Sequence, residues 1–175
     1  HYPAMKRWID YMCTFIKDDL MPRDTYGDWC VPPESQELIH SKDPARKTAA
    51  ELLGSTYFYY DLNRMKMYAE ILGHEEDAEH FEQVAEKMKT AFNKKYLNKE
   101  LGQYDNGTQT SCVLPLAYGM VPKESHDAIV KHLVDKIMIE SKGHTATGLI
   151  GGQWLMGALT DNGHADVGYT IATQT

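Results

Sequence analysis

Cysteine is scarce in this sequence, and its positions do not cooperate. Cys13, Cys30 and Cys112 are far apart, form no C-x-x-C pair and are odd in number, so neither a disulfide framework nor a thiolate metal site is expected. Cys30 has no sequence mark of a catalytic partner, and an unpaired cysteine is more often a small buried group than a nucleophile. Nor is there a run of about 18 apolar residues, so no membrane partner is expected. The 18 Lys and Arg stand against 25 Asp and Glu, giving a net charge of −7. They form no basic stripe, which argues against a nucleic-acid partner. The eight histidines include no H-E-x-x-H or other close ligand pair, so no metal and no cofactor is expected. A starting Met and a signal-peptide pattern are also missing. The sequence opens at His1 directly before a helical pattern and stops at Thr175 inside another, which reads as a fragment of a longer protein.

What is present is helix. No segment sustains the period-two alternation of a strand. A first helix is expected from Pro3 to near Leu20, with Met5, Trp8, Ile9, Met12, Phe15 and Ile16 on one face. A second runs from near Ala45 to Gly73 and is apolar on most sides, with Tyr57, Phe58, Tyr59, Tyr60 and Tyr68. A third opens on Glu75, Glu76 and Asp77, acids suited to a helix N-terminus, and carries one apolar stripe from Phe81 to Phe92. Residues 98–107 read as a polar turn. Thr108 to Tyr118 is small and apolar, and a helix opening at Pro122 is amphipathic. A glycine-rich loop follows over 143–152, then an apolar helix around Trp154 to Leu159 and a last one from Ala165 to Thr173. Inner, apolar helices thus alternate with outer, amphipathic ones. About seven helices wound this way make part of an (α/α) toroid, and the closed (α/α)6 form needs twelve.

The stretch from Asp24 to Glu34 organises the rest. Gly27 and the Pro32-Pro33 pair stop any helix from crossing it. It holds Asp28 and Glu34 around Trp29. A carboxyl group beside an indole is poorly solvated and tends to keep its proton, as a general acid must. An indole is also a surface on which a sugar ring can stack. An ordinary inter-helix loop with a buried Trp fits the same residues equally well.

Several motifs occur together and in order: His1-Tyr2-Pro3-Ala4-Met5-Lys6-Arg7-Trp8, the loop Gly27-Asp28-Trp29 through Glu34, and the helix from Tyr57 to Leu72. Asn106-Gly107-Thr108-Gln109-Thr110, Gly143-His144-Thr145-Ala146-Thr147-Gly148 and Thr173-Gln174-Thr175 complete the set. In this the sequence resembles the catalytic domain of bacterial α-L-rhamnosidases, the inverting enzymes of glycoside hydrolase family 78. The resemblance implies an all-α (α/α)6 barrel, incomplete over 1–175, within a longer multidomain protein. It implies hydrolysis of terminal α-L-rhamnosides, with a rhamnose-containing oligosaccharide or glycoside as partner. Glu34 takes the place of the general acid, Asp28 binds rhamnose hydroxyls, and Trp29 shapes the same pocket. His144, Thr147 and Trp154 fall in a second loop near the sugar. The setting it implies is bacterial, periplasmic rather than cytoplasmic.

Two departures stand out. Pro32 and Leu38 replace an Arg and an aromatic that many members carry around the acid. No segment matches the Gly-Ala-Thr-Thr-x-Trp-Glu stretch that holds the family's general base, so the base is expected downstream of Thr175 rather than at Asp28 or Asp61. An incomplete toroid leaves inner faces uncovered, so the isolated chain is expected to dimerise or aggregate. Two other readings remain open on the sequence: an (α/α)-barrel glycosidase for another sugar, and a non-catalytic helical module that binds carbohydrate or protein.

Overall fold

The computed structural model describes residues 1–22, 26–32 and 47–174. Among them are seven α-helices, and consecutive ones from α2 onward pair as hairpins. Helix α1 (Tyr2–Cys13) packs on α2 (Ala50–Leu72), which pairs with α3 (Glu75–Tyr96). Helix α4 (Gln109–Ala117) pairs with α5 (His126–Asp135), and α6 (Leu149–Asp161) with α7 (Ala165–Ala172). Helices α2, α4 and α6 touch one another as an inner layer, and α3, α5 and α7 cover them. No helix among the described residues is long and apolar enough to cross a membrane.

The layers follow from the side chains. In α3, Ala78, Phe81, Ala85, Met88 and Phe92 recur at three- and four-residue spacing and are buried, while the other faces are charged. Helix α4 is buried at every residue from Gln109 to Pro115, which makes it the most interior element described. Helix α2 ends where its sequence breaks: Gly73 takes a φ of 75°, and the N–H groups of Gly73 and His74 cap the carbonyls of Glu70 and Ala69.

Four expectations are corrected. Helix α1 stops at Cys13, not near Leu20. Lys17 and Leu20 instead exchange two backbone hydrogen bonds of 2.9 Å around Asp18 and Asp19, whose φ values are 52° and 60°. Aspartate tolerates that left-handed conformation, and the tight turn delivers buried Leu20 and Met21 against α2, where the Met21 N–H reaches Ser55 Oγ. Residues 45 and 46 lie outside the described residues, and α2 begins at Ala50. The polar turn contains a short antiparallel pair, β1 (Leu97–Asn98) with β2 (Gln103–Tyr104), in the register Leu97↔Tyr104. Finally, the helix expected from Pro122 is divided. A 3-10 turn (Lys123–Ser125) precedes α5, and a wide π turn (Lys136–Glu140) follows it and leads into the glycine-rich loop.

Candidate active-site face

The N-terminal ends of α4 and α6 meet the loop at residues 26–32. Helix α6 begins at Leu149, several residues earlier than expected, because its cap comes from another part of the chain. A helix leaves its first four N–H groups without internal partners. Here Asp28 and Trp29 take all four. The Asp28 Oδ2 accepts from Gly148 N–H at 2.9 Å, and Oδ1 accepts from Ile150 and Gly151 N–H at 3.0 and 3.1 Å. The Trp29 carbonyl accepts from Leu149 N–H at 2.8 Å. A fourth donor to Asp28 is the hydroxyl of Thr110, in the first turn of α4. The carboxylate is 2% exposed, and its negative charge lies against the positive end of α6.

Close approach makes two glycines obligatory. A Cβ on Gly148 would lie 2.3 Å from the Trp29 carbonyl oxygen and 2.6 Å from Asp28 Oδ1. One on Gly151 would lie 2.1 Å from Thr110 Oγ1.

The stretch Asn106 to Thr110 fastens two further loops to the same end of α4. Asn106 donates to the Lys47 carbonyl at 2.9 Å, and the hydroxyls of Thr108 and Thr48 are 2.8 Å apart. Buried Gln109 donates to Ser141 Oγ and the His144 carbonyl, and its own oxygen accepts from Ala146 N–H at 2.8 Å. Four polar side chains within the five residues Asn106–Thr110 therefore hold three loops at one face.

The sequence-predicted site residues separate into groups. Trp29 is adjacent to the Asp28 cap, with 47% of its surface exposed. Thr147 is buried, its hydroxyl 2.9 Å from that of Thr145. His144 is exposed and lines a cavity of about 550 Å3 with Pro32, Lys142 and Thr145. Thr147 lines a neighbouring one of about 380 Å3 with Cys30, Pro32 and Gln153. Glu34 and Leu38 lie outside the described residues.

Trp154 belongs to a second cluster on the inner helices. Its Nε1 donates to the Tyr57 hydroxyl at 3.1 Å, and its ring meets those of Tyr60 and Tyr118 edge-on, with centroids 5.5 and 4.9 Å away. Asp61, one turn beyond Tyr57 on α2, borders a cavity of about 580 Å3 with Trp8, Tyr60, Arg64 and Tyr68. Burial raises its carboxyl from 3.8 to about 6. No group of three His, Cys, Asp or Glu among the described residues is arranged to hold a metal ion.

The sequence singles out Asp28, Trp29 and the Asn106–Thr110 motif, but residues 98–107 read there only as a polar turn. Gln109 and Thr110 are not marked there as organisers. The available signal was a run of hydrogen-bonding side chains entering an otherwise apolar helix.

An inner ring of helices backed by an outer one, with connecting loops gathered at the inner N-termini, defines the class: part of an (α/α)6 helical-hairpin barrel. Residues 1–175 match the bacterial α-L-rhamnosidase six-hairpin glycosidase domain, and the chain belongs to that family. An α-L-rhamnosidase of Formosa agariphila is 32% identical over 99% of this chain, which spans 18% of that protein. The α-L-rhamnosidase structure from Dictyoglumus thermophilum superposes with a TM-score of 0.87 at 31% identity, over 99% of this chain and 19% of the other. The Streptomyces avermitilis α-L-rhamnosidase complexed with L-rhamnose gives 0.84 at 27% identity, over 99% and 15%. The chain thus spans about a fifth or less of the proteins it matches.

Proposed function

We propose that the whole protein hydrolyses terminal α-L-rhamnosides of plant or bacterial glycans and glycosides. The observation that carries this reading is agreement with α-L-rhamnosidases along 99% of the chain, in sequence and in fold, including one that holds L-rhamnose. The face built by Asp28, Trp29, His144 and Thr147 is the part of the sugar site that this segment contributes. The reaction is inverting: one carboxyl group protonates the leaving oxygen while a second, about 6.5–9.5 Å away, activates a water on the opposite side of the ring. Glu34 serves as the acid, and the base comes from beyond Thr175. The described part of the loop, residues 26–32, is fastened at Asp28.

Hydrolysis of an aryl α-L-rhamnoside, compared between the whole protein and residues 1–175 alone, tests this. Turnover is expected in the whole protein, with the β-anomer of rhamnose released first, and very little in the segment. Glu34→Gln in the whole protein lowers turnover by about 100-fold or more. Normal turnover in that variant removes Glu34 from the role, and no hydrolysis by the whole protein removes the activity. The isolated segment also pairs or aggregates through α1 and the turn after it, where Met5, Trp8, Tyr11 and Phe15 are exposed, and a clean monomer in light scattering counts against that.

A further inference from the structure

In place of a direct sugar contact, we propose that Asp28 is a positioning residue that sets the indole of Trp29 for the sugar by bolting its backbone to α6 and α4. The proposal rests on the rhamnosidase reading for the identity of the sugar. The bolt itself rests on geometry alone.

An ionised carboxylate offers about four acceptor sites on its two oxygens. In Asp28 four donors occupy them: the N–H groups of Gly148, Ile150 and Gly151 and the hydroxyl of Thr110. With 2% of the residue exposed, no sugar hydroxyl reaches it without displacing one of these. The next residue is held from the other side, because the Trp29 carbonyl receives Leu149 N–H and lies so close to Gly148 that no Cβ fits there. The Asp28 side chain on one side of the Trp29 backbone and the Trp29 carbonyl on the other are therefore fixed, while the indole stays half exposed. An aromatic platform for a sugar needs that combination: an open face on an immobile backbone, since misplacement by about 1 Å can cost about 100-fold in rate. The bolt also transmits. Thr110 opens α4 and Gly148 caps α6, so the position of Trp29 is tied to the spacing of two inner helices.

The test uses the whole protein. Asp28→Asn places an amide N–H2 against two of the four donors. It is expected to lower kcat/KM on an aryl α-L-rhamnoside by about 10- to 100-fold. In a Trp29→Ala background the same change is expected to cost less than about twofold, because the platform it serves is gone. Equal losses in the two backgrounds overturn the proposal in favour of a direct contact. Thr110→Val is expected to reproduce part of the loss, also only when Trp29 is present, and Thr110→Ser, which keeps the hydroxyl, to restore most of it. This pair decides the matter where Asp28→Asn fails to fold.

A second readout does not depend on activity. In protein labelled with 5-fluorotryptophan, the Trp29 fluorine resonance, identified by its loss in Trp29→Phe, should shift or broaden in Thr110→Val and return in Thr110→Ser. An unmoved resonance overturns the bolt. A moved resonance in a protein that hydrolyses no rhamnoside keeps the bolt and discards the substrate.

Discussion

Thr110 donates its hydroxyl to the carboxylate of Asp28 across 82 residues of sequence. The bond joins the first turn of one inner helix to the loop that caps the next. Its neighbours Asn106, Thr108 and Gln109 reach two other loops, so the open face of the layer is assembled around one turn of α4. The chemistry expected of this face depends on loops, and the loops depend on buried polar contacts that can be removed singly.

Gly148 and Gly157 lie at the cap and in the body of α6 and should respond oppositely to the same change. Gly148→Ala forces a Cβ to within 2.3 Å of the Trp29 carbonyl oxygen. It is expected to destabilise by about 1–3 kcal/mol through overpacking. Gly157 has nothing within 4 Å of such a Cβ, and Gly157→Ala is expected to stabilise by about 0.5–1 kcal/mol. Urea melts of the two variants measure this, and similar effects at both positions would contradict the description of the cap.

Gln109 satisfies three partners from a buried position. Gln109→Met keeps the length and loses all three bonds. A loss of about 2–3 kcal/mol is expected, with faster amide hydrogen exchange at Ala146, whose N–H is left without its acceptor. Unchanged exchange at Ala146 would show that the loop holds itself.

Asp61 should make stability depend on pH in the direction opposite to a paired carboxylate. Its folded value of about 6 lies above the ordinary 3.8, so the folded chain keeps a proton that the unfolded chain releases. The contribution of Asp61 to stability is therefore greatest below about pH 4, falls as the pH rises to about 6 and stays lower beyond. Asp61→Asn is expected to stabilise by about 2–3 kcal/mol at about pH 8 and to be neutral at about pH 3. A benefit of equal size at both values would place the cause elsewhere.

Trp154 and Tyr57 share one hydrogen bond, so Trp154→Phe and Tyr57→Phe should each cost about 1 kcal/mol, and the double variant little more than either. Additive costs, measured in thermal melts at one pH, would mean that the bond contributes nothing.

The layers of this fold were legible because they are written in side-chain spacing. The stripe of α3 and the cap at Gly73 need only neighbours in sequence to be recognised. The end of α1 and the start of α6 were not legible, for one physical reason: both are decided by groups that are distant in sequence. Leu20 and Met21 look like a helix tail until Ser55 and the Asp18-Asp19 turn take them out of it. Gly148 has no side chain with which to cap a helix, and nothing near it in sequence announces Asp28. The site was legible in the same uneven way. Asp28 and Trp29 could be picked out by residue type, but the direction in which Asp28 points is a property of packing, and Thr110 has no meaning as a partner until α4 and the loop are adjacent.

The cap on α6 also has a consequence in time. Asp28 precedes Gly148 by 120 residues. At a ribosomal pace of about 5–20 residues per second, roughly 6–24 s separate the two. During that interval the hairpin of α2 and α3 has all of its own sequence and can close, while the carboxylate meant for α6 has no helix to receive it. The front loop is therefore among the last parts of this segment to settle on a nascent chain.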